Sequence, residues 1–316
     1  MPDLSAPMTV DGPGPSSDTK RSRHLALGAL ILGATILGVS PILVRLSDLG
    51  PTASAFHRVF LALPLLFLWR RIERGRTDAG PPLAPAALPG LAFAGLLFAG
   101  DLGFWHWSLK FTTVANATLL ANFAPIFVVL GGFLLFGERV SVRFLVGMAL
   151  AIGGAALLMG QSFDLGLDRL FGDGLGLITG MFFGSYLLAV GRLRARFTTA
   201  AIMLWSTAAT AAVLLPATLL AGESLIPSGA EGWAVLLSLA LLVHIGGQGL
   251  VAYALAHLPT TFSSVGLLIE PTVAAFIAWF LFAEVLGPWQ MTGAAVILFG
   301  IALCRRASQR VASRVP

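Results

Sequence analysis

Ten times along this chain the sequence stays apolar for roughly 20 residues, the length of α-helix that crosses a bilayer, and no other feature constrains its fold as tightly. The stretches cover roughly residues 25–45, 51–69, 86–109, 112–136, 141–160, 172–191, 199–221, 232–256, 260–282 and 288–304. In hydrocarbon each backbone N–H and C=O must find a partner within the chain, so such stretches are helices. The expected fold is an all-α integral membrane protein with ten transmembrane helices. Charged residues make up only 11% of the chain, its mean hydropathy is +0.87, and soluble domains carry about 25% charge. The 36 glycines and 18 prolines suit lipid-embedded helices, where small residues allow close packing and helix breaks are tolerated. One cysteine, Cys304, excludes an intramolecular disulfide or a cysteine-rich metal site. No metal or other cofactor is expected.

The basic residues fix an orientation. With a cytoplasmic N-terminus, sixteen of the 20 Lys and Arg fall on the inside, in clusters at 20–23, 70–76, 139–143, 192–196 and 305–314. Arg45, Arg58, Lys110 and Arg169 remain for the outer half, where the loops carry Asp164, Asp168, Asp173, Glu223 and Glu231. By the positive-inside rule both termini are cytoplasmic, in a multi-pass protein of a bacterial-type inner membrane. The net charge of +5 is spread over short loops, which argues against a nucleic-acid partner. Residues 1–24 read as a polar, disordered tail, and the first apolar stretch as a retained helix without a clear small-residue cleavage site.

An internal repeat runs through these helices. Residues 117–140, ATLLANFAPIFVVLGGFLLFGERV, align without gaps on 263–286, SSVGLLIEPTVAAFIAWFLFAEVL, at an offset of 146. At that offset Pro125 meets Pro271, Glu138 meets Glu284, Gly147 meets Gly293, Gly154 meets Gly300, and Gly38 meets Gly184. The expected units are residues 25–160 and 172–305, joined by a periplasmic linker at 161–171 and followed by a cytoplasmic tail at 306–316. Because each unit has five helices, an odd number, the second enters the membrane from the opposite face. Such inverted repeats serve alternating access in carriers.

A proline followed thirteen residues later by a glutamate at the helix exit, twice, resembles the EamA family of the drug/metabolite transporter superfamily. The stretch GVSPILVRLSDLGPTASAFHRVFLALPLL, with Arg58 early in the second helix, is also similar to it. The resemblance implies a ten-helix carrier whose cavity is lined by both halves and which moves amino acids, other metabolites or cationic drugs. Trp105, Trp107, Tyr186 and Trp279 favour a YddG-type amino-acid exporter, with a cationic-drug exporter as the alternative.

Ionisable side chains within a membrane helix are expensive and are functional suspects by default. Glu270 falls near mid-membrane just before Pro271, opposite Ala124 in the first repeat, and the proline frees a backbone carbonyl one turn upstream. This carboxylate suits a substrate ammonium or a proton; the alternative is a paired structural glutamate. His244 and Gln248 share a helix face, where the histidine suits titration during transport or, alternatively, a neutral imidazole bonded between helices. Asp101, Trp105 and Ser108 share another, whose acid, indole and hydroxyl suit an amphipathic organic substrate; the alternative is an aspartate paired to Arg58 or a backbone group, with Trp105 and Trp107 as interfacial belt residues. Asn122, Tyr186 and Ser263 are neutral candidates for binding or for helix–helix hydrogen bonds. Arg58 is shallow enough to snorkel outward and reads as structural. Pro125, Pro271, Glu138 and Glu284 read as framework, each glutamate holding a neighbouring hairpin.

An intramembrane enzyme has no supporting motif: HExxH, a phosphate loop and a nucleophile elbow are all absent from the sequence. A channel would call for a filter loop, and inverted duplication suits a carrier better. The expected partners are a small-molecule substrate and the lipid bilayer.

Overall fold

The computed structural model describes residues 17–76, 85–159, 169–282 and 287–312. Among them ten helical spans are long and apolar enough to cross a membrane. They are α1 (Arg21–Leu46), α2 (Pro51–Gly75), α3 (Leu88–Phe111), α4 (Asn116–Phe136) and α5 (Val142–Met159), then α6 (Leu170–Leu193), α7 (Thr199–Leu220), α8 (Ala230–Ala254), α9 (Thr260–Ile277) and α10 (Pro288–Gln309). Helix begins at Ser17, eight residues before the expected start of the first apolar stretch, and the last helix continues to Ala312. Both extensions carry the basic residues that hydropathy assigns to loops.

Four spans are broken, and each break sits one turn before a proline. α1 turns at Gly38–Val39 ahead of Pro41, α2 at Leu61–Ala62 ahead of Pro64, α4 at Asn122–Phe123 ahead of Pro125, and α9 at Leu267–Leu268 ahead of Pro271. The cause is local, since proline has no N–H for the carbonyl four residues back and its ring crowds that carbonyl. In α9 that carbonyl belongs to Leu267, and it accepts instead from Glu270 N at 2.9 Å. α8 is interrupted differently, by a π-helical segment at Leu239–Gln248, a distortion often found at functional sites.

Glycines set the closest approaches. A Cβ on Gly147 would lie 2.9 Å from Gly300 O, and one on Gly154 2.8 Å from Gly293 O. The pairings 147–300 and 154–293 make α5 and α10 antiparallel, and they exchange under the 146-residue offset. A Cβ on Gly38 would meet Glu270 O at 2.8 Å, and one on Gly184 would meet Ala124 O at 2.8 Å, again two equivalent contacts. α1 therefore packs into the second half through α8 and α9, and α6 into the first through α3 and α4. The core lies where these helices cross, around Leu30, Phe98, Leu187 and Val243.

Candidate functional site

The broken spans meet around one chamber inside the bundle. Its wall takes Ser40 from α1, Arg58 from α2, Asp101 and Trp105 from α3, Thr118 and Asn122 from α4, Phe183 from α6, Gln248 from α8 and Glu270 from α9. Ser40, Asn122 and Glu270 each sit at a helix break, so the prolines place them there. The chamber leaves about 80 Å³ for the centres of water molecules, room for on the order of six waters. Positions 146 apart face each other across it: Leu37 and Phe183 both line it, as do Leu102 and Gln248. Beside it the rings of Phe98 and His244, also 146 apart, stack with centroids 5.5 Å apart.

Three ionisable groups, Arg58, Asp101 and Glu270, stand in this apolar setting. Arg58 is only 5% exposed and donates from Nη1 to Ser40 Oγ at 3.0 Å, while its Nε has no hydrogen-bond partner among the described residues. The guanidinium therefore does not snorkel to the outer surface as the sequence suggests: Ser40 across the α1 break holds it inward. The charge of Arg58 acts on both Asp101 and Glu270. Yet the described ion pairs lie at the ends of the bundle, and none joins Arg58 to either carboxylate. Thr118 Oγ1 is a second unpartnered polar atom in the wall. Buried polar groups of this kind are satisfied by a ligand or by water.

Of the nine expected binding residues, Asp101, Trp105, Asn122, Gln248 and Glu270 line the chamber. His244 is turned aside, its Nε2 2.8 Å from Thr207 Oγ1. Tyr186 packs its ring on Phe98 at 4.7 Å and directs its hydroxyl toward Gln248 and Ser206, behind the wall. Ser108 donates to Trp105 O at 2.7 Å, and Ser263 is fully buried outside the wall. The tryptophans separate too. Trp107 donates to Thr52 Oγ1 at 2.9 Å with Lys110 over its ring, and Trp279 is half exposed toward lipid, so only Trp105 serves the chamber. Thr118, Phe98 and Phe183 are wall residues without a charge or motif to mark them, and Ser40 is marked only as part of the family-like GVSPILV stretch; their signal was position, within four residues of a break or opposite a repeat equivalent.

The two ends of the bundle are tied across the halves. At the end bearing the α1–α2 and α7–α8 loops, Glu223 Oε2 accepts from Ala53 N in the first turn of α2 at 2.8 Å, and Lys110 Nζ lies 3.5 Å from Glu223 Oε1. At the other end Glu73, in the last turns of α2, accepts from the Oγ1 of Thr198, the N-cap of α7, at 2.7 Å. Helix starts attract carboxylates: Glu73 of α2 stands at the start of α7, and Glu223, just past the end of α7, at the start of α2. Glu138 pairs there with Arg192, whose guanidinium also covers the Phe136 ring at 3.8 Å. Gly137, at φ 68°, permits this turn, because Gly137 N and Glu138 N bond back to Phe133 O and Gly132 O. Glu284 lies outside the described residues.

Asp48 closes a further contact, accepting from both the amide and the hydroxyl of Ser228, and these bonds hold its carboxyl below the usual carboxylate range. A carboxyl lowered by folding stabilises the contact above the ordinary value near 4 and loses that contribution as pH falls through its own lower value. Spin labels on the 47–50 and 226–229 loops should therefore give a narrow distance distribution at pH 5 and a broad one once the pH has fallen well below the ordinary carboxylate value near 4. Asp48→Asn should be broad at both; a narrow distribution for it at pH 5 would show that the carboxylate is dispensable.

Comparison with known proteins meets this architecture at every level. The profile of the EamA-like transporter family matches the chain twice, over residues 24–160 and 170–306. A protein of Archaeoglobus fulgidus, described as an uncharacterized transporter, is 27% identical over 290 residues, covering 90% of this chain and 97% of its own. The pseudopaline exporter CntI of Pseudomonas aeruginosa is 25% identical, with 88% and 94% covered. A probable terminal-alkyne amino-acid exporter of Streptantibioticus cattleyicolor is 30% identical over 210 residues, 64% of this chain and 67% of its own. A solved crystal structure superposes with a TM-score of 0.71 at 20% identity, over 90% of this chain and 98% of the other, a likeness of fold. With both halves matched in full, the chain belongs to the EamA-like transporter family, and it is a multi-pass membrane transporter.

Proposed function

We propose that the protein exports an amino-acid-like zwitterion by alternating access, as a secondary carrier of a bacterial-type inner membrane with both termini cytoplasmic. One observation carries this: a chamber walled by both halves in which one guanidinium and two carboxylates stand without a direct pair among the described residues. A substrate carboxylate would take Arg58, its ammonium Asp101 or Glu270, and its side chain the rings of Trp105, Phe98 and Phe183. The relatives that carry substrate names, a pseudopaline exporter and an amino-acid exporter, support an amino-acid-derived cargo.

The halves are read as inverted repeats. Antiparallel α5 and α10 and the exchange of equivalent glycine contacts support a pseudo-two-fold axis in the membrane plane, and Phe98 stacked on its equivalent His244 lies on it. Rocking about that axis opens one end while the other stays tied, with Glu223 and Asp48 as the outer ties and Glu73 and Glu138 as the inner ones.

In proteoliposomes, internal unlabelled substrate should accelerate uptake of labelled amino acids, as counterflow through a carrier does. Glu270→Gln and Trp105→Ala should each lower this saturable flux about tenfold, the equivalent of about 1.4 kcal/mol, within the range for a desolvated cation–π contact. Unchanged flux in both variants would remove the chamber from the transport path. Two carboxylates against one guanidinium also favour a second reading, a purely cationic substrate, for which Arg58 would be dispensable.

A further inference from the structure

We propose that the protein has a separate site for an anionic phospholipid, at the end of the bundle formed by the start of α1, the α8–α9 connection and the end of α10. There Arg23, His24, His257 and Arg305 surround a pocket of about 250 Å³, measured as the chamber is. A groove of about 410 Å³ runs on from it along α1, α9 and α10, lined by Leu30, Gly266, Ile269 and Leu298. The two share Leu27, Phe262, Arg305 and Gln309, so they form one continuous feature with a basic mouth and an apolar length.

The chemistry fits one occupant. The described ion pairs all lie elsewhere, so among the described residues no carboxylate neutralises Arg23, Arg305 or the adjacent Arg306. No acidic side chain lines either part. A phosphodiester headgroup matches the guanidinium pair through charge-assisted hydrogen bonds, and basic pockets between membrane helices on the cytoplasmic side take such headgroups. The groove faces the bilayer, since Leu298 is 52% exposed, and an acyl chain matches its lining where a free phosphate would leave it empty. Unlike the central chamber, where two carboxyl groups accompany one guanidinium, this site carries basic side chains without an acidic one. It does not rest on the substrate proposed above.

The experiment is native mass spectrometry of detergent-purified protein titrated with dioleoyl phosphatidylglycerol, dioleoyl phosphatidylcholine or inorganic phosphate. One phosphatidylglycerol should be retained at least tenfold more tightly than phosphatidylcholine, and phosphate should not compete. At about fivefold per basic residue near a headgroup, the double variant Arg23→Gln/Arg305→Gln should weaken phosphatidylglycerol on the order of twentyfold. Arg23→Lys/Arg305→Lys should restore most of it, and Leu298→Trp, which fills the groove, should weaken both lipids. Equal retention of the two lipids, displacement by phosphate, or an unchanged preference in the Gln variant would overturn the site. A Gln variant that elutes as aggregate passes the decision to Leu298→Trp, whose side chain already faces lipid; unaltered binding there also overturns it.

Discussion

Arg58→Gln is expected to lower saturable export of a zwitterionic substrate on the order of a hundredfold while leaving the protein folded. Removing one partner from a buried, hydrogen-bonded charge arrangement costs about 2–5 kcal/mol, and about 2.8 kcal/mol is a hundredfold. Two things are lost together. The substrate carboxylate forfeits its cation, and Asp101 and Glu270 are left facing each other without the positive charge that acts on both. The glutamine amide stops two bonds short of the Nη1 that bonds Ser40, so the direct tie across the α1 break goes with them. Counterflow in proteoliposomes, set beside uptake of a quaternary ammonium compound, gives the answer. Zwitterion flux within threefold of the parent would remove Arg58 from the binding site, and a selective loss of zwitterion flux would assign it the carboxylate.

The second large effect is structural. Gly293→Leu is expected to abolish recovery of monodisperse protein, or to lower its melting temperature by more than about 10 °C. A Cβ there would stand 2.5 Å from Leu158 N, 2.7 Å from Gly154 O and 2.9 Å from Leu158 Cα. All three are backbone atoms, which cannot move aside as a side-chain tip does, so the cost exceeds the ~1–3 kcal/mol of ordinary overpacking. Helices in lipid have little hydrophobic drive toward each other and depend on such close approach. Gly153→Leu is the matched control, since a Cβ at Gly153 meets nothing within 4 Å. Size-exclusion profiles and thermal melts of the two variants decide; similar behaviour would mean that the α5–α10 seam contributes little to stability.

Much of the fold is legible in the sequence because a bilayer asks few questions. Length and apolarity identify the spans, and the prolines at 41, 64, 125 and 271 mark the breaks. The site is legible only in part. Asp101 and Glu270 announce themselves by the cost of a charge in hydrocarbon, and both line the chamber. Arg58 is equally conspicuous, but its depth along α2 says nothing of Ser40, which comes from a different helix and turns it inward. His244, Ser108 and Tyr186 look alike to sequence reasoning, yet partners on other helices or their own backbone engage them outside the wall. Phe98 and Phe183 are invisible for the opposite reason: a phenylalanine in an apolar stretch looks the same whether it faces lipid, a neighbour or a ligand.

The stacking of Phe98 on His244 carries a consequence for the integrity of the molecule. Equivalent positions that touch would, in an assembly of two identical halves, bring a side chain against its own twin. Phenylalanine would meet phenylalanine, or two imidazoles would compete for the same hydroxyl chemistry. A chain that carries one of each has made its halves complementary where they are nearest to being the same. Carried on one polypeptide, the two family-matched halves keep a one-to-one stoichiometry at this contact, each supplying a different ring.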